Sequence, residues 1–173
     1  MSKPSGATAP DGSYSAWMHP FEASIKAYEA GVARLREACG GLSDAQLNTR
    51  IAPGTWSIQE VVVHLLDSDL IATHRMRRIA AEHLPLLVSY DENAFIANLP
   101  ADRLDFAAAI ELFEVHRRYT AQWLRTLSAE SFAREGIHTQ RGKITLGQIV
   151  DLYASHVDHH LKFVDGKRAA LHA

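Results

Sequence analysis

The chain has 173 residues, 47% of them hydrophobic and 22% charged, with a formal net charge of -2, which suits one domain that buries most of its apolar surface and leaves little for a second. This near-neutral balance gives no global attraction to a phosphate backbone or an anionic lipid surface, so neither nucleic acid nor membrane is an expected partner. Cys39 is the single cysteine, which excludes an internal disulfide; with no apolar run near the roughly 18 residues that a membrane span needs, we expect a cytoplasmic protein.

Residues 1–16 are rich in Ser, Gly, Pro, Ala and Thr and lack the apolar core of a secretory signal, so they read as a flexible tail ahead of one helical domain over 17–173. A first helix is predicted from about Phe21 to Cys39, with Ile25, Tyr28, Val32 and Leu35 three and four apart and Gly40-Gly41 stopping it. Leu42–Leu47 reads as one short helical turn. A second long helix follows Pro53-Gly54, where Ser57 and Glu60 form a capping-box pattern, and runs to about Glu82. A third is predicted over about Leu104–Leu127, its apolar stripe made of Ala108, Leu112, Val115, Tyr119 and Trp123. The fourth starts at Thr145, where Gln148 repeats the capping device, and ends near Gly166. No strand is expected. Four amphipathic helices, none stable alone, predict an all-α four-helix bundle. The second and third helices are joined by about twenty residues, longer than the roughly 2 to 8 usual in bundles. We expect that stretch, with Tyr90–Phe95, to cross an end of the bundle, part of it as a short helix. It reads equally as the lip of a pocket or an ordinary crossover.

The fourth helix contains His156-Val157-Asp158-His159-His160. Residues four apart point the same way within about 40° and lie about 6 Å apart along the axis, so two imidazoles can share one ion. Measured from Leu146, His160 lies about 40° and His156 about 80° to one side of the apolar stripe, while His159 is turned about 140° away. His156 and His160 are therefore the candidate pair, and His159 faces solvent or supports from outside. A third ligand must come from another helix. His64, in the most apolar stretch of the second helix, lies about 120° from its stripe centre, which allows an interior position without requiring one. By spacing alone, such a pair is more often a surface pair or a satisfied core pair than a metal site. Burying three unpartnered imidazoles is costly, and a cation offsets that cost.

Asp69 falls near the centre of the second helix's apolar stripe, where a carboxylate must find donors. It can orient a ligating imidazole or bond an amide or arginine across the bundle, and we favour the second. Asp67 is expected to face solvent. His116 is a candidate ligand or acid/base, although Arg117 and Arg118 beside it also fit an exposed edge. Trp17, Phe21, Trp123 and Phe132 supply either an exposed apolar patch suited to a dimer or core.

Gly54-Thr55-Trp56-Ser57-Ile58-Gln59-Glu60-Val61-Val62-Val63-His64-Leu65-Leu66-Asp67-Ser68-Asp69 resembles the second-helix signature of the DinB/YfiT-like family, and Thr145-Leu146 through His156, His159 and His160 resembles its last helix. The likeness spans about residues 20–168. It implies a four-helix bundle with up-down-down-up connections and one divalent metal ion, nickel or zinc, held by His64, His156 and His160. It also implies a homodimer acting on an unidentified small molecule, as a metal-dependent hydrolase or as a transferase using a thiol cosubstrate. The alternative is a non-catalytic metal-binding stress-response or sensor protein, and a third reading is an interaction module whose histidines bind nothing.

Overall fold

The computed structural model describes residues 19–171 of the chain; the predicted tail over 1–16 and Trp17 lie outside the described residues. In chain order the elements are α1 (Glu22–Cys39), α2 (Asp44–Asn48), α3 (Ile58–Ala81), β1 (Leu86–Leu87), α4 (Glu92–Asn98), α5 (Phe106–Arg125), α6 (Ala129–Phe132), β2 (Glu135–His138), β3 (Gly142–Thr145) and α7 (Leu146–Ala170). Both predicted capping boxes form. The Ser57 amide donates to Glu60 Oε2 at 2.7 Å and the Glu60 amide to Ser57 Oγ at 3.1 Å, while Thr145 and Gln148 exchange the same bonds at 2.9 and 3.1 Å. Each satisfies amides that the first helical turn leaves unpaired. α7 continues to Ala170, four residues past the predicted stop, because one glycine inside a packed helix costs only about 1 kcal/mol.

Side-chain pairings fix the direction of each long helix. Glu22 at the start of α1 meets Arg125 at the end of α5, and Arg36 meets Glu114, so α1 and α5 are antiparallel. Arg34 pairs with Asp158, and Arg168 donates to the Ala38 carbonyl, so α1 and α7 are parallel. Gln59 donates to the Leu104 carbonyl and Thr73 reaches Thr120, so α3 and α5 are parallel. The order is up-down-down-up, with α1 and α3 each packed on both α5 and α7. This topology explains the long connection after α3. Consecutive parallel helices force the chain back along the whole bundle, about 36 Å for the 24 residues of α3. It does not merely cross one end. It contains β1, α4 (capped where Asp91 Oδ1 accepts from the Ala94 amide) and a 3-10 turn over Ala101–Arg103.

Two sequence expectations are corrected here. Three short strands are present: β1 pairs in parallel with β2, and β2 pairs antiparallel with β3. At two to four residues each they are too short to show alternation. The hairpin turns through residues 139–141, with Gly142 at φ 72° supplying the left-handed residue such loops need. Secondly, the face of α5 built on Leu112, Val115 and Tyr119 is exposed, and Ala109, Phe113, Arg117, Thr120, Ala121 and Leu124 face the core. The buried face includes an arginine and a threonine, so the outer face looked the more apolar. Arg117, expected at an exposed edge, is 1% exposed. Among the proposed dimer aromatics, Phe132 is core, with Phe21 stacked on it at 4.2 Å, and Trp123 is half-buried under Arg77.

A polar layer separates two apolar clusters of the core. Arg117 donates from Nε and Nη2 to Asp69 Oδ1 at 3.1 and 2.9 Å, from Nη1 to the Tyr28 carbonyl at 2.7 Å and from Nη2 to the Tyr153 carbonyl at 2.9 Å. One guanidinium thus ties α5 to all three other long helices. Gly31 makes room for it: a Cβ there would lie 2.8 Å from Arg117 Nη1 and 3.3 Å from Val157. Gly31→Ala, which raises helix propensity, is therefore expected to destabilise the chain by about 1–3 kcal/mol through overpacking. Urea unfolding that gives equal or greater stability for the variant would contradict this.

Candidate metal centre

α3 and α7 run antiparallel, so residues early on one face residues late on the other. His64, seven residues into α3, meets His156 and His160 on adjacent turns of α7, with ring centroids 5.4 and 4.8 Å away. Those two rings are 4.7 Å apart at 86°. One ligating atom from each of the three lies within 4.8 Å of the others, so the structure brings together all three histidines singled out from the sequence. The Nε2 atoms of His156 and His160 are 3.1 Å apart, a separation that a single ion would span at roughly 100° with bonds of about 2.0–2.1 Å. Their Nδ1 atoms are buried without a hydrogen-bond partner among the described residues. Neutral rings can turn both Nε2 lone pairs to one ion once each carries its proton on Nδ1, and His64 supplies a third imidazole. The donor set therefore fits a divalent cation of the zinc or nickel kind.

Burial also sets the charge state. His64 is 3% exposed, and desolvation pushes its pKa down to about 4. His156 is pushed to about 3, first by burial and then by its neighbours His160 and His64, and His160 to about 4, by burial and then by His64. All three are neutral at pH 7, the form that ligates metal. The Trp56 ring sits 4.9 Å from His64.

The remaining candidates divide clearly. His159 is exposed, as its helix angle predicts. Asp69 is fully buried and bound by Arg117 and by the Tyr28 hydroxyl at 2.6 Å, so it takes the structural role. His116 is held by Thr73 Oγ1 at 2.9 Å and approaches Asp69 at 3.5 Å, within the polar layer. Asp67 does not face open solvent: it is half-buried, and burial raises its pKa.

His156 also lines a cavity of about 150 Å³ whose wall includes Ser68, Arg75, Tyr90, His138, Arg141 and Tyr153. Tyr90, from the connection after α3, closes one side through a 2.5 Å bond to Ser68 Oγ, so the predicted lip does border the centre. Arg75, His138 and Arg141 were not singled out from the sequence. For Arg75 a signal existed, since eleven residues is just over three turns and places it within about 20° of His64 around α3. His138 and Arg141 arrive on the unforeseen hairpin.

A bundle of this connectivity with clustered imidazoles between its second and fourth long helices defines a helical protein with a candidate metal centre. The chain belongs to the DinB superfamily, whose sequence profile matches residues 27–164. It is similar to YfiT of Bacillus subtilis (strain 168), provisionally named a metal-dependent hydrolase, with 32% identity over 142 residues, 81% of this chain and 79% of that one. It is also similar to OB0782 of Oceanobacillus iheyensis, provisionally named in the same way, with 31% identity over 123 residues and 71% of each chain. The solved structure of YfiT, described as a four-helix bundle of unusual topology, matches with a TM-score of 0.82 at 27% identity, covering 96% of this chain and 95% of that one. The mycothiol-dependent maleylpyruvate isomerase shares the fold, with a TM-score of 0.66 at 16% identity over 83% of this chain and 60% of that one. No helix among the described residues is long and apolar enough to cross a membrane.

Proposed function

We propose that the chain is a divalent-metal-dependent hydrolase of a small molecule, with His64, His156 and His160 holding one ion. The supporting observation is the convergence of three neutral imidazoles, one buried and two half-buried, beside a polar cavity. Three protein ligands leave a coordination position open, and a bound ion then supplies Lewis acidity and a water of lowered pKa. The chain's own residues do the rest. Tyr153 packs its ring 5.5 Å from His156 on one side of the site, and Tyr90, bonded to Ser68, lines the cavity beside it.

The fold likeness to a mycothiol-dependent enzyme favours a second reading, in which the same open position binds a low-molecular-weight thiol and the chain is a thiol transferase. The homodimer that the family resemblance implies belongs to the same proposal, and sedimentation velocity reads it directly. One experiment tests the main reading: untagged protein loaded in turn with zinc, nickel, cobalt and manganese is assayed on esters, amides and thioesters, with and without a small thiol. We expect turnover that EDTA abolishes and that His156→Ala loses together with the metal. Turnover only with thiol present would favour the transferase. Stoichiometric metal with no turnover in any arm would favour the sensor reading and defeat the enzyme.

A further inference from the structure

The cavity beside His156 holds more positive charge than the chain neutralises. Arg75 is 6% exposed. Its Nη2 donates to the Val88 carbonyl at 2.6 Å and its Nη1 to Tyr153 Oη at a long 3.4 Å, and its Nε is buried without an acceptor. Among the described residues no carboxylate oxygen lies within 4.0 Å of its guanidinium. The contrast with Arg117, equally buried but paired with Asp69, is informative. A buried guanidinium cannot escape its desolvation cost by losing a proton, and burying a charge without a partner costs several kcal/mol. Arg141 lines the same cavity, and Glu92 is its one carboxylate. His138, also in the wall, has its pKa lowered by burial and by both arginines, so it adds no charge at pH 7. Two fixed cations against one carboxylate leave a surplus of one positive charge.

We propose that this cavity binds a monoanionic carboxylate of the substrate, with Arg75 as the buried anchor and Arg141 as the outer cation. Tyr153 lies between, hydrogen-bonded to Arg75 and in ring contact with His156. The anchored group is therefore one aromatic ring away from the histidine cluster, and the scissile bond of a short carboxylate-bearing ester, amide or thioester would lie toward His156. The charge match selects a carboxylate over a dianionic phosphate, and Arg75 offers a planar guanidinium suited to it. This assignment of substrate class rests on the hydrolase reading above, whereas binding of the anion itself does not.

The test is therefore a binding measurement on the metal-free full chain, so that the probe has no ion to ligate. Propionate, propionamide and inorganic phosphate are titrated in turn while the Arg75 Nε–H and His138 ring signals are followed by NMR. The expected result is a saturable shift with propionate confined to cavity residues, no saturation with propionamide, and phosphate at least threefold weaker. Arg141→Met, at an exposed position, should fold normally and weaken propionate threefold to tenfold. Arg75→Met should weaken it at least tenfold, and Arg75→Lys, which keeps the charge, should recover part of that loss. Absence of saturation with propionate, an equal response to propionamide, tighter phosphate binding, or unchanged affinity in Arg141→Met would each overturn the proposal. Propionate binding in a chain that hydrolyses nothing would instead defeat the hydrolase reading and leave the anion site standing.

Discussion

Arg117→Met is expected to destabilise the chain by about 3–5 kcal/mol, the cost of leaving a buried charge without its partner. Asp69 would keep only the Tyr28 hydroxyl and the more distant His116, while the carbonyls of Tyr28 and Tyr153 would lose the extra donors they now share. Methionine fills much of the volume, so the loss is electrostatic rather than a cavity. Pairing it with Asp69→Asn separates the two, because the double variant removes the stranded charge. We expect the double variant to be more stable than Arg117→Met alone, with a coupling energy of 0.5–3 kcal/mol. Urea denaturation with unchanged slope reads both numbers. A single variant within 1 kcal/mol of the parent would show that the layer is not what holds the four helices in register.

This layer also marks where the sequence is readable and where it misleads. Helix positions and both capping boxes are legible because Ser57/Glu60 and Thr145/Gln148 act locally, through bonds three residues apart. The histidine cluster is legible for a similar reason: His156 and His160 are related by the helix period, and only the arrival of His64 needs the tertiary fold. The α5 face is misread because burial there is decided by Arg117 finding Asp69 48 positions away, a pairing that no local periodicity encodes. The strands fail differently. Leu86–Leu87 becomes a strand only because Ile137 and His138 lie beside it, and the Arg134 side chain tethers that segment to the end of α3 through the Ile79 and Glu82 carbonyls. The cavity wall inherits this blindness, since one of its two arginines arrives on the hairpin.

Metal affinity is expected to stay nearly constant from pH 7 down to about pH 5, unlike that of exposed imidazoles, which weakens once protons compete below pH 6.5. The cause is the burial that holds His64 and His160 near 4 and His156 near 3. In the metal-free chain the same shifts act on stability with a definite sign. Each folded-state pKa lies below its unfolded value, so the unfolded state binds more protons between about pH 6.5 and pH 3, and stability falls as pH drops through that window. It is fully present above pH 6.5 and stops falling below the folded pKa values. His64 alone accounts for about 3 kcal/mol of that loss. His64→Ala should therefore flatten the acid limb of the metal-free stability curve. It should also lower zinc affinity by more than the roughly 10- to 100-fold that follows from losing an outer partner of a ligand. Competition titrations with a chromophoric chelator, alongside thermal unfolding at each pH, measure the two effects on one sample. Zinc affinity that falls tenfold or more between pH 7 and pH 6 would mean that the rings titrate as they do in water, and the dry three-histidine centre would have to be given up.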